Sequence, residues 1–347
     1  MYVLKKLTSS AMFPSLLMLA IILLFNVIVQ PDFLSVEFRD GRFFGGVVMI
    51  LNRAVPIMIL AMGMTLVIAT GGVDLSVGSV LAVSAAVSIT LIRGDLGAGD
   101  NATAMHLALV IPIALVVSMV CGLWNGFLVA KIGMPAIVAT LIFMVAGRGL
   151  TQIITSERSV TTAYLAFGEI ANGATLTIPN QIWYALIIFL SIWFLTRRTA
   201  FGLFIESVGI NRSAANHAGI RATAILLAIY TISGLFAGIA GILGGSNVRV
   251  IEPMNTGQNM ELEAILAVAL GGTRLSGGKF NLGGSCVGAI ILSALARTMS
   301  FYGVSPQAAP AIFAIVIGIL VIIQSPVTRK FITSHVNIFR RREVTAQ

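Results

Sequence analysis

Ten apolar runs dominate this sequence, at 11–29, 47–70, 75–92, 104–130, 135–154, 178–195, 223–245, 262–270, 284–301 and 310–323. Crossing a bilayer's hydrocarbon as a helix takes about 20 apolar residues, so most of these runs are long enough, and 262–270 reaches that length only with its flanks. With 57% of its 347 residues hydrophobic and 10% charged, the chain has too few polar groups to cover a water-facing surface. Lipid is its solvent, and the expected architecture is all-α, with about ten transmembrane helices in a single membrane domain over 1–347. Cys121 and Cys286 both lie in apolar runs, where a thiol behaves as a small hydrophobe, so neither a disulfide nor a metal site is expected.

A net charge of +9 raises the question of nucleic acid, but in a membrane chain basic residues report orientation. Ten crossings put both termini on one side. Taking that side as cytoplasmic gathers there Lys5, Lys6, Lys131, Arg197, Arg198, Arg212, Arg221, Arg274, Lys279 and the basic tail 326–347. Arg39, Arg42, Arg93, Arg158 and Arg249 fall on the other side. The bias follows the positive-inside rule, and nucleic acid is not an expected partner. No small-residue cleavage site follows the first apolar run before Gln30 and Pro31, so that run is expected to stay as a helix.

Two breaks interrupt the apolar pattern with the same signature. Gly71-Gly72-Val73-Asp74-Leu75-Ser76-Val77-Gly78 is matched without a gap by Gly271-Gly272-Thr273-Arg274-Leu275-Ser276-Gly277-Gly278. Adjacent glycines end a helix, and Asp74 or Ser76 is placed to cap the next one. Unwound backbone at membrane depth persists only inside protein or along a watery cavity, which is the pattern of a transporter with broken helices. Asp74 and Ser76 therefore either cap a turn or face a pathway. The proposed topology gives both breaks the same sidedness, unlike a simple inverted repeat.

Other polar residues sit inside apolar runs. Gly122 and Gly126 are four apart, a spacing that lets a neighbouring helix approach closely. Between them, Trp124 and Asn125 either bridge helices or meet a polyhydroxylated ligand. Arg148 lies halfway along its run and needs an anionic or carbonyl partner. It shares a helix face with Thr151 and Gln152, as a structural anchor or as the lining of the outer part of a pathway. Glu261 and Glu263 are candidate partners. The small-residue run 234–245 reads as close helix packing.

The longest interior polar segment, 196–221, falls on the cytoplasmic side, with a short helix carrying Ala214, Ala215 and Ala218 and bounded by Gly209 and Gly219. By itself this is either a solvated loop or a docking surface for another protein.

The ordered motifs Thr70–Gly78, Leu123-Trp124-Asn125-Gly126, Glu206–Asn211 with Ala214-Ala215 and Gly219-Ile220, and Ala269-Leu270-Gly271-Gly272 closely resemble the ribose/xylose/arabinose/galactose family of bacterial ABC importer permeases. The resemblance covers nearly the whole chain. Within the family, 50–56, 63–70 and 139–149 look most like the galactofuranose-type permease. The resemblance implies an inner-membrane subunit with both termini cytoplasmic. It would pair with a second permease, a paralogue, over a cytoplasmic ATPase, and receive a monosaccharide from a periplasmic binding protein. It places ATPase coupling on Glu206, Gly209, Asn211, Ala214, Ala215 and Gly219. Asp74, Ser76, Trp124, Asn125, Arg148 and Gln152 are the pathway candidates from their chemistry alone. ATP and Mg²⁺ belong to the partner ATPase, because this chain lacks the phosphate loop: the glycines before Lys279 are followed by Phe280 where a Ser or Thr is required. The chain itself is expected to hold no cofactor or metal and to be no enzyme. The rival readings are a cation-coupled secondary transporter, a branched-chain amino-acid permease of the same importer class, and a non-transport scaffold or receptor.

Overall fold

A computed structural model describes residues 13–39, 41–93, 106–305, 308, 311–315 and 318. The basic tail 326–347 lies outside the described residues, as does most of the apolar run 310–323.

Helix α1 (Phe13–Val29) leads through a 3₁₀ turn (Pro31–Leu34) into a hairpin of β1 (Val36–Arg39) and β2 (Arg42–Gly45). Then follow α2 (Gly46–Ala69), α3 (Val77–Arg93), α4 (Leu107–Phe127), which runs on into a π turn at Leu128–Ile132, and α5 (Ala136–Ile154). After β3 (Val160–Thr161), α6 (Leu165–Asn172), β4 (Ala174–Thr175) and β5 (Ile178–Pro179) come α7 (Asn180–Arg198), α8 (Ala200–Ile210), α9 (Arg212–His217) and α10 (Ala222–Val248). The described elements close with β6 (Val250–Ile251), α11 (Met260–Leu270) and α12 (Leu282–Phe301).

All three two-stranded ladders, β1 with β2, β3 with β6 and β4 with β5, lie at one end of the helix bundle, here the hairpin end. Both glycine breaks and α8–α9 lie at the other, the break end. The core is built around α10 and the second half of α2, whose residues from Ile59 to Ala69 are all buried. Small residues make this possible. At the α4–α10 crossing a Cβ on Gly122 would meet the Tyr230 carbonyl oxygen at 2.3 Å, and one on Gly234 would meet that of Ser118 at 2.4 Å. Backbones in such contact gain dispersion and weak C–H···O contacts that lipid cannot supply. The sequence reading of Gly122, Gly126 and 234–245 as packing surfaces agrees with this.

Among the described residues, α2, α4 with its π turn, α5, α10 and α12 are long and apolar enough to cross a membrane, five helices in all, or six when the pair α7–α8, bent by 75°, counts as one. The expected ten is not reached by this criterion. Helices α1 and α3 are apolar but have 17 residues each. Helix α11 has 11 residues, about 16 Å of rise against a hydrocarbon core of about 30 Å, so it is a half-span.

Candidate functional site

At the first break α2 ends on the Thr70 turn, Gly71 takes a left-handed φ of +81°, and α3 starts only at Val77. The intervening chain turns back into the bundle and carries Asp74 and Ser76 with it, both buried. Asp74 Oδ1 accepts from the Ser76 amide at 3.1 Å and from Ser76 Oγ at 2.5 Å, so the side chain closes a turn just ahead of α3 and does not cap the helix's own amides. Its second oxygen, Oδ2, accepts from Ser233 Oγ of α10 at 2.8 Å. Asn125 Nδ2 of α4 donates to Ser76 Oγ at 2.7 Å, and Thr140 Oγ1 of α5 accepts from the Leu75 amide at 3.1 Å. Side chains from three helices thus bond the Leu75 amide, Ser76 and the carboxylate inside the protein, leaving Asn125 Oδ1 and the Tyr230 hydroxyl without a partner among the described residues. Tyr230 closes the cluster, with its hydroxyl where a Cβ on Gly72 would come within 2.7 Å.

A second irregular segment lies between β6 and α11. From the hairpin end, residues 252–259 coil inward through successive turns closed by Asn255 N–H to Glu252 O, Gln258 N–H to Asn255 O and Met260 N–H to Gly257 O. A Cβ on Gly257 would stand 2.4 Å from the Gly78 carbonyl oxygen, and one on Gly78 would stand 2.1 Å from Glu261 Oε2. Since Gly78 is in the first turn of α3, beside the Asp74 cluster, α11 begins at mid-depth in the bundle. Arg148 and Gln152 of α5 hold the segment there: Arg148 Nη1 donates to the Thr256 carbonyl oxygen, and Gln152 Nε2 lies 2.8 Å from Met254 Sδ. Thr151, on the same helix face, bonds back to Gly147 instead. Of the two acids left as candidate partners, Glu261 interacts electrostatically with Arg148 and Glu263 with Arg53 of α2.

Two clefts of about 540 and 620 Å³ share Arg53 and Ser300, and the smaller opens beside this half-helix. The larger runs along the hairpin ends of α2, α10 and α12 past Asn52 and Asn247. The other continues inward past Gln258, Asn259 and Glu263. Both fall within the roughly 300–1,000 Å³ typical of small-molecule sites.

At the break end the repeated motifs meet each other. The Gly278 amide donates to the Ala69 carbonyl oxygen at 2.8 Å, and a Cβ on Gly277 would come 3.0 Å from Gly71 N and 3.0 Å from the Gly209 carbonyl oxygen. Gly209, in the last turn of α8, has the Ala69 oxygen 1.8 Å from where its own Cβ would be. Helix α8 starts on a Thr199 cap, where Oγ1 accepts from the Phe201 amide at 3.2 Å, and turns 75° from α7 across the break end. Asn211 Oδ1 accepts from the Ala214 amide at 3.0 Å and so caps α9.

Residues 46–324 match the family described as branched-chain amino acid transport system / permease component. The chain belongs to that family. This permease is 42% identical over 312 residues to the galactofuranose transporter permease protein YtfT of Escherichia coli (strain K12), a match covering 90% of this chain and 89% of that protein. To the fructose import permease protein FruF of Bifidobacterium longum (strain NCC 2705) it is 39% identical over 350 residues, covering 99% and 95% of the two chains. To the ribose import permease protein RbsC of Escherichia coli (strain K12) the figures are 34% over 280 residues, 80% and 84%. No solved structure matches the permease.

Of the residues singled out from sequence, the permease brings Asp74, Ser76 and Asn125 into one cluster and Arg148 with Gln152 into another. Trp124 joins neither: it is 51% exposed and stacks on Phe127 at 6.1 Å, on the outer side of α4. Asn125 bridges helices. The expected docking face also needs correction, because Ala215 is buried against Val208, Ala222 and Leu226, whereas Ala214 and Ala218 are exposed. Gly209 is half-buried against the two breaks rather than displayed, and Glu206 is half-buried. Gly219 has a left-handed φ of +84° with open space around it. Sequence reasoning assigned no site role to Arg53, Gln258, Asn259 or Ser300. A charge at 53 inside an apolar run was the available signal for the first, and polar residues ahead of a run too short to span for the next two.

Proposed function

We propose that this permease is the membrane subunit of an ATP-driven, binding-protein-dependent importer that carries a monosaccharide, galactofuranose or a related pentose or hexose, across the bacterial inner membrane. The observation that carries the reading is similarity to sugar permeases along nearly the full length of both chains, at 42% and 39% identity. The family description names branched-chain amino acids, so leucine is the competitor any test must include.

In this reading the break end is cytoplasmic, the hairpin end is periplasmic, and both termini are cytoplasmic after ten crossings. Helices α1 and α3, the half-span α11 with its inward-coiling lead and the run 310–323 supply the crossings beyond the six that pass on length. Helices α8 and α9 face the ATPase, with Glu206, Asn211, Ala214 and Gly219 as contact candidates and Gly209 and Ala215 as their support. A second permease, a paralogue, completes the pathway. ATP and Mg²⁺ reside on the ATPase, and this chain holds neither.

The test is uptake into vesicles containing the permease pair and its ATPase, with a periplasmic binding protein supplied. Labelled galactofuranose, ribose and fructose are compared with leucine, under ATP and under an ion gradient. ATP-dependent sugar accumulation is expected. Gradient-driven uptake by this chain alone, or accumulation of leucine in place of every sugar, would overturn the proposal.

A further inference from the structure

The two polar features at membrane depth differ in one respect that decides what each can do. Around Asp74 the polar side chains are buried, Ser76, Asn125 and Ser233 bond to one another or to the carboxylate while Asn125 Oδ1 and the Tyr230 hydroxyl have no partner among the described residues, and none of these residues lines either of the two clefts. A solute cannot pass there without unpacking three helices. Along α2, α11 and α12 the opposite holds. Arg53, Gln258, Asn259 and Ser300 are exposed and Glu263 is half-exposed, and together they line continuous open clefts from the hairpin end to mid-depth.

Hydrocarbon is a poor match for the charged part of this surface. Glu263 is in the first turn of a helix that starts at mid-depth, where a carboxylate or guanidinium against hydrocarbon costs roughly 2.5–3.5 kcal/mol on insertion scales. Water or a polar solute fits better. The guanidinium and the Gln258 and Asn259 amides offer donors, Glu263 and the amide oxygens offer acceptors, and Leu262, Leu266 and Met299 give an apolar backing. A polyol needs all three: donors and acceptors for its hydroxyls, and a flat apolar surface for its C–H faces. Because the polar groups remain accessible to water, they would hold such a solute loosely, as a route requires.

We infer that the cleft along α2, α11 and α12, and not the Asp74 cluster, is the solute's route through this subunit, with Arg53, Gln258, Asn259, Glu263 and Ser300 as its contacts. The inference rests on the sugar-importer reading for the identity of the solute. It moves the pathway away from Asp74, Ser76, Trp124 and Asn125, and leaves Arg148 and Gln152 as positioning residues that pin the wall of the route.

The experiment uses the assembled importer with Cys121→Ala and Cys286→Ala, which removes both native thiols. Ser300→Cys is then introduced, with Val145→Cys as control, since Val145 is 67% exposed on the apolar face of α5. A charged, membrane-impermeant maleimide added from the hairpin side is expected to label Ser300→Cys, to leave Val145→Cys unlabelled, and to block uptake only in the former. Glu263→Gln is expected to lower sugar uptake by about tenfold, the scale of one charged hydrogen bond, with the thermal midpoint of the complex unchanged. Ser300→Cys that stays unlabelled, or that is labelled with uptake intact, overturns the route. Failure of the sugar reading shows separately, in the unsubstituted complex, as leucine accumulation in place of sugar. The maleimide block then still reports whether the cleft carries the solute.

Discussion

Asp74 illustrates how one residue type serves two readings of a sequence. Its place after a double glycine predicts a cap, its place inside an apolar stretch predicts a pathway, and the structure gives it a turn ahead of α3 that is also a tie to α10. Replacing it by Ala leaves Ser76 and Ser233 without their acceptor, at roughly 1–3 kcal/mol for each buried group left unpaired. Asp74→Ala is therefore expected to lower the thermal midpoint of the detergent-extracted protein well below that of Asp74→Asn, which keeps an acceptor oxygen. Equal midpoints would mean the cluster is not a stabilising tie. Two glycines make a similar contrast. Gly209→Leu puts a side chain where the Ala69 oxygen already is, so it is expected to abolish monodisperse protein on size-exclusion chromatography. A loss of coupling in that variant would say nothing about ATPase contact. Gly219→Ala meets only open space and a left-handed φ, a strain of about 1 kcal/mol, and is expected to remain folded. That makes it the sounder probe of docking, read as ATP hydrolysis that no longer responds to sugar and binding protein.

At the scale of elements, hydropathy made the long helices legible because lipid imposes a length on them, and glycine spacing made the α4–α10 crossing legible because close backbones need missing side chains. The segment 252–259 was not legible. Polar residues in a coil of turns read as a surface loop, and nothing in their order says that α5 reaches across to hold them inside the bundle. Arg148 was readable as needing a carbonyl or an anion, but the partner, Thr256 O, is a backbone atom that carries no side-chain signal. The same limit hid which acid lies near which arginine. The structural role of Arg148 predicts a local effect. Arg148→Met is expected to speed hydrogen exchange of the amides of 254–258 while leaving α10 protected, with Arg148→Lys intermediate because a single ammonium cannot reproduce the guanidinium's several directed donors. Exchange that rises evenly across the bundle, or not at all, would remove Arg148 from the role of anchor.

For the molecule as a whole, the count of crossings is a parity question that a fusion experiment answers. With ten crossings, a reporter on each terminus must read the same compartment, and opposite readings would reduce or raise the count by an odd number. The missing phosphate loop is tested as simply: purified permease should hydrolyse no ATP until a separate ATPase is added. The meeting of Gly71, Gly209 and Gly277 bears on what such an ATPase would have to move. Three stretches of chain touch there backbone to backbone, with no side chain between them to rotate or compress, so the joint has almost no give. It joins the end of α8 to both broken spans at once, α2 with α3 on one side and α11 with α12 on the other. A displacement of α8 cannot be absorbed by one pair and withheld from the other, and so a single stroke at the break end is geared to two helix pairs in fixed proportion.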